Sequence, residues 1–233
     1  MKYLILACLF LVNFTVCAQG VGKKRTCRIL FLERPREAPS EAYLFDGEKS
    51  HKVILPNLNF SEVIELPGGD ITIGMSPDSI DSPEDFPKDA PTAKIPAQQN
   101  DIYLLLFSDP GNKILPVRIQ PINIGKGNLE PGQTLWINFT EHRIAAKLGT
   151  EELLIPPMGK AISPTPSATS GYFLAQFLYQ HEASGDFLPI MSKSWWFDAT
   201  SKNLGFIINS GGRLPKIFTF RDRRMPEGQK NPE

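Results

Sequence analysis

The side chains that most often carry chemistry are few in this chain, and none of them sits at the spacing a known reaction requires. His51, His142 and His181 are too scattered for a local zinc motif. His51 and His142 fall beside turns and read as polar surface residues. Asp78, Asp81, Glu84, Asp85 and Asp89 supply oxygen donors of the kind calcium takes in sets of about six to eight. Their spacing lacks the alternating Asp-x-Asp-x-Asp-Gly loop, so the cluster reads as a solvated acidic loop. There is no Gly-x-Ser-x-Gly elbow, no phosphate loop and no dinucleotide fingerprint. No catalytic residue, metal or cofactor is implied. Cys27 falls in an expected strand and reads as a buried structural thiol rather than a nucleophile.

Aromatic residues offer a binding chemistry instead. Trp195 and Trp196 are adjacent, so in a strand they point to opposite faces. One fills a core; the other, together with Trp136, could form a platform on which sugar rings or apolar partner side chains stack. The competing reading puts all three Trp inside the cores or the joint between units. Phe86 and Asp85 belong to a Pro-rich acidic stretch, Pro77 to Asn100, that reads as a recognition loop adding little core. Trp136, Trp195, Trp196, Phe86 and Asp85 are therefore the candidate binding residues.

The elements that must position them are short strands. Pro (21) and Gly (18) interrupt the chain too often for long helices. In Glu130-Pro131-Gly132-Gln133, Pro presets a turn and Gly accepts a positive φ, which starts the strand Leu135 to Thr140. Its alternation places Leu135, Ile137 and Phe139 on a core face and Trp136, Asn138 and Thr140 on a polar one. Ile144 to Leu148 returns, with a helix over Glu141 to Leu148 as the alternative. Asp46-Gly47 suits a tight hairpin. Ile102 to Phe107 reads as a strand buried on both faces, and Pro116 and Pro121 place the following strand at an edge or bend.

The second half repeats the order of the first. Pro156-Pro157-Met158-Gly159 matches Pro67-Gly68-Gly69, Gly171 to Gln180 matches the strand after Asp101, and Phe187-Leu188-Pro189-Ile190 matches Ile114-Leu115-Pro116-Val117. On this alignment Pro77 to Asn100 is an insertion. The fold expected is all-β: two immunoglobulin-like sandwiches in tandem, residues 19–126 and 127–224, each with its own core. One larger sandwich is the alternative.

Residues 1–18 have the charged start, apolar run and small-residue site of a secretory signal peptide, which leaves 215 of the 233 residues. Acylation of Cys17 is the alternative, giving a lipid-anchored protein. Cys8 and Cys17 fall within this segment, so Cys27 is left without an intrachain partner. Acidic and basic residues balance at 25 each. Without a net basic field, nucleic acid is not expected as a partner. Lys23-Lys24-Arg25 and Arg221 to Arg224 read as solvated ends, and residues 225–233 as a disordered tail. Asn59-Phe60-Ser61 and Asn138-Phe139-Thr140 are formal glycosylation sites.

Ala38-Pro39-Ser40-Glu41-Ala42-Tyr43-Leu44-Phe45-Asp46-Gly47 followed by Leu66-Pro67-Gly68-Gly69-Asp70-Ile71-Thr72 resembles a family of bacterial secreted domains of unknown function. The resemblance covers about the first quarter of the exported chain. It implies an immunoglobulin-like sandwich at the cell surface or in the periplasm and carries over no catalytic residue. The expectation is a secreted or periplasmic non-catalytic protein that acts through protein contacts. A carbohydrate-binding module and an enzyme whose site is assembled from distant residues are the alternatives.

Overall fold

Alternating apolar residues and frequent turn formers give sixteen strands among the described residues, which in this computed structural model are 25–224 apart from 36, 37, 57, 168, 210 and 213. The expected signal peptide, Cys17 and the carboxyl-terminal tail lie outside them. The first eight strands are β1 Arg25–Phe31, β2 Glu41–Phe45, β3 Ser50–Ile54, β4 Ile64–Leu66, β5 Ile71–Ser76, β6 Thr92–Ile95, β7 Asp101–Ser108 and β8 Val117–Asn123. The second eight are β9 Thr134–Asn138, β10 Ile144–Leu148, β11 Glu151–Ile155, β12 Lys160–Ser163, β13 Gly171–Gln180, β14 Phe187–Phe197, β15 Lys202–Ile208 and β16 Lys216–Asp222. A single turn of 3-10 helix, Pro83–Asp85, is the one helical element described.

The strands form four sheets of four, ordered β4-β1-β7-β8, β3-β2-β5-β6, β12-β9-β15-β16 and β11-β10-β13-β14. Adding eight to every strand number of the first pair reproduces the second. The parallel pairs also correspond, β1 with β7 and β9 with β15. The protein is thus all-β, with two β-sandwich units in tandem built on one topology.

The true repeat register differs from the one expected. Gly171 to Gln180 is β13, the counterpart of β5, while the counterpart of the Asp101 strand is β15. The Pro-Gly turns are not equivalent either, since Pro67-Gly68-Gly69 joins β4 to β5 whereas Pro156 to Gly159 joins β11 to β12. Turn chemistry recurs wherever a chain reverses, so it does not identify which strands correspond. Pro77 to Asn100 is also not wholly an insertion: it contains β6, and only residues 77–91 exceed the short 181–186 turn of the second unit.

Three apolar clusters divide the molecule into layers. Cys27, Ile29, Leu44, Ile73, Met75 and Leu104 belong to the cluster inside the first sandwich. Trp136, Ile144, Ala146, Phe177 and Ile207 belong to that inside the second. The third lies between them and draws Leu30, Tyr103, Leu105 and Ile122 from one unit and Leu135, Ile137, Leu204, Phe206 and Phe220 from the other. The sheets containing β1 and β9 are therefore inner layers covered on both faces, and those containing β2 and β10 are outer layers. β7 is a continuous apolar run for this reason: Ile102, Leu104 and Leu106 face one core and Tyr103 and Leu105 the next.

Local expectations were met in several places. Gly47 has φ +99°, and Asp46 Oδ1 accepts the Glu48 and Lys49 backbone N–H groups at 2.9 Å, closing the β2–β3 hairpin. Gly132 has φ +80° in the turn before β9. β8, which carries Pro121 and follows Pro116, is an edge strand. Residues 144–148 are strand rather than helix, held between β11 and β13. Arg25, expected at a solvated end, is 1 % exposed and donates to the carbonyls of Gly69, Ile95 and Pro96.

Candidate functional site: the aromatic cleft of the second sandwich

The inner sheet of the second unit presents two rows of side chains to the space inside that sandwich. Strand register aligns Ser163, Thr134, Asn203 and Arg221 across β12, β9, β15 and β16, and beside them Ala161, Trp136, Gly205 and Thr219. The first row is polar. In the second, the Trp136 ring lies over Gly205, where a Cβ would meet it at 2.1 Å, so only glycine admits the indole. Trp136 Nε1 donates to Ser163 Oγ at 3.1 Å, which satisfies the one polar atom of a side chain 1 % exposed.

The outer sheet faces these rows with aromatic residues. β13 and β14 pair Phe173 with Trp195 and Gly171 with Phe197. Trp195 stacks on Trp136 with centroids 6.1 Å apart and rings 19° from parallel, and meets Phe173 nearly edge-on at 6.5 Å. Between the layers lies a cavity of about 260 Å³ lined by residues that include Thr134, Trp136, Phe173, Trp195, Asn203 and Arg221. Arg221 also donates to the Trp196 carbonyl at 3.1 Å, bridging β16 to β14 across the mouth.

Of the residues singled out in the sequence, the three Trp converge here, though not as a surface platform. Trp136 is buried because its strand is covered on both faces: the face read as polar points into a core and the opposite face into the joint between units. Trp195 is half-buried and Trp196, on the other face of β14, is exposed beside Tyr172 at 5.0 Å. Phe86 and Asp85 are not part of this cluster. Phe86 stacks on Phe45 at 5.5 Å, over Gly74, where a Cβ would meet its ring at 2.0 Å. Ile80 is buried and tied through its N–H and carbonyl to Ser50 Oγ at 2.8 and 2.9 Å, and Ile95 lies in the first core. The stretch expected to recognise a partner is a clasp over the outward face of the first outer sheet. Asp85 is exposed and accepts a hydrogen bond from Ser82 Oγ at 3.0 Å.

Sequence reading missed a charged network at the joint. Asp222 of β16 is 3 % exposed and accepts from Arg28, from Tyr103 Oη at 2.6 Å and from Arg224 Nε at 2.9 Å. Arg224 also pairs with Asp101 at 2.8 Å, and Lys202 pairs with the same carboxylate at 3.2 Å. Burial and then the Asp222 charge push the Tyr103 phenol far above its usual range. Burial opposes the Arg224 charge, but Asp222 and Asp101 more than offset it and raise its pKa. The partners are far apart in the chain, so no local motif announces them, and Arg224 is no solvated end. Asn138, a formal glycan acceptor, is fully buried and donates to the His142 and Pro156 carbonyls at 2.8 and 2.9 Å. Burial pushes the Cys27 thiol up to about 12, with the Asp101 charge adding to it, so it is no nucleophile at neutral pH. Among the described residues no group of three His, Cys, Asp or Glu could hold a metal ion.

No family model matches the chain, and no curated protein matches it. No helix among the described residues is long and apolar enough to cross a membrane.

Proposed function

We propose that this chain is an exported, non-catalytic protein of the cell envelope or its surroundings that binds a protein partner through the outward face of its second outer sheet. The observation that carries this is an asymmetry between two sheets of identical topology. On the first outer sheet the outward Phe45 is covered by the 77–91 clasp and is 5 % exposed, which leaves Ile54 of β3, at 69 %, as the exposed large apolar residue described on that sheet. On the second, no such segment among the described residues covers Leu154, Tyr172, Leu174 and Trp196, which are 59, 75, 50 and 47 % exposed. Leu154, Ala145 and Leu178 align across β11, β10 and β13 in a shallow groove, with Tyr172 and Trp196 paired at the far end of the β13–β14 hairpin. Uncovered apolar area of this kind marks contact surfaces, and Tyr and Trp are the residues most enriched at their centres.

A photo-crosslinking amino acid placed at Tyr172, and separately at Lys94 on the first outer sheet, tests this in the native host. A discrete protein adduct at position 172 and none at 94 is expected. Equal adducts at both positions, or none at 172, would contradict the reading.

A further inference from the structure

The two units differ at one seam. In the first, edge strand β6 packs along edge strand β8 and closes that side of the sandwich. Their counterparts β14 and β16 lack that close approach, and the aromatic cleft opens between them. The shared topology does not require this opening.

We propose that the cleft between β14 and β16 binds a single sugar ring of pyranose size. Its two walls are chemically distinct. One is the polar row Thr134, Asn203 and Arg221 with Thr219 beside it; the other is the aromatic set Phe173, Trp195 and Phe197. A pyranose has this same division, with hydroxyls around its rim and an apolar C–H face that stacks on aromatic rings. The polar wall has capacity to spare. Among the described residues the Thr134 and Thr219 hydroxyls make no hydrogen bond within the protein, Arg221 uses only one terminal nitrogen on the Trp196 carbonyl, and Asn203 Nδ2 makes only long contacts of 3.3 and 3.4 Å that leave Oδ1 free. A purely apolar guest would bury these groups unpaired, at a cost that a hydroxylated guest avoids. The volume of about 260 Å³ falls just below the roughly 300–1,000 Å³ of drug-sized sites, which sets the guest at one ring. Trp195 forms the inner wall, whereas Trp196 meets the cavity at its rim, where its carbonyl accepts from Arg221, and turns its ring outward onto Tyr172.

Ligand-observed saturation-transfer NMR on the full exported chain would test this, with glucose, galactose, mannose, N-acetylglucosamine and glucuronate as probes and indole-3-acetate as a ring without hydroxyls. At least one sugar should bind saturably with a dissociation constant of roughly 1 mM or tighter. Thr219→Phe, which fills the mouth from an exposed position, should weaken it at least about tenfold, and Asn203→Ala should weaken it independently should the first variant fold poorly. Tyr172→Ser, on the other face of the sheet, should leave it unchanged. Absence of saturable binding by every sugar, binding of indole-3-acetate alone, or equal loss in Tyr172→Ser would overturn the proposal. Crosslinking at Tyr172 reads the opposite face, so failure here and failure of the protein-contact reading are separable.

Discussion

Asp46 shows how one residue ties a turn to stability. It is 2 % exposed, caps the β2–β3 turn and holds His51 Nε2 at 2.6 Å. Burial acts against its carboxylate, but the His51 hydrogen bond and the Lys49 and Glu48 N–H groups outweigh this and hold its pKa below the usual value. A depressed folded pKa contributes stability above the unfolded pKa of about 3.9, and that stability is lost as pH falls through the folded value. Asp46→Asn should therefore cost about 1–3 kcal/mol near neutral pH, with the gap from the parent closing in strong acid. Urea melts of both proteins at pH 7 and near pH 3 measure it; a gap independent of pH would contradict the assignment. Asp46-Gly47 was legible as a hairpin from two residue types. Alternation puts Trp136 in the right strand but not in its surroundings, because it shows only that a strand has two faces. That the polar-looking face is a second core depends on strands about 40 to 60 residues downstream, β13 and β14, which bring Phe177 and Trp195 against Trp136.

Among the elements, the strands were largely legible because each carries its own period and ends at its own turn. β6 was the exception, at four residues inside a Pro-rich acidic stretch. Pro77 to Asn100 reads as a free loop for a related reason: an acidic composition reports the solvated side of a loop and is silent about the few residues that fasten it. Phe86→Ala should remove the stack on Phe45, uncover the Gly74 surface and cost roughly 2–4 kcal/mol, toward the lower part of the range for large-to-small aromatic changes because Phe86 is half-buried. Thermal melts of this variant are the check. A melting temperature within a degree of the parent would return the loop to the role of a free recognition segment.

For the whole molecule, the layering decides what is left for function. Both inner sheets are covered on both faces, so the surfaces open to a partner are the outward faces of the outer sheets, one of them clasped. Two sandwiches in tandem were legible from strand rhythm and the Pro131-Gly132 turn. Their face-to-face packing was not, since the fourteen buried residues of the shared cluster are scattered from Leu30 to Phe220. That cluster also bears on whether each unit can stand alone. Returning an apolar side chain to water costs about 1.5–3 kcal/mol. Exposing even half of the cluster would match the roughly 5–15 kcal/mol by which a typical protein is stable. The charged network would be cut too, leaving Asp222 and Tyr103 without each other.

The most direct test is differential scanning calorimetry of the intact chain beside fragments 19–126 and 127–224 expressed separately. The shared layer predicts one cooperative transition for the intact chain and none for either fragment alone, with mixing of the two restoring a transition. Two independent fragment transitions at the temperatures seen in the intact protein would contradict it and show that each sandwich is sufficient in itself.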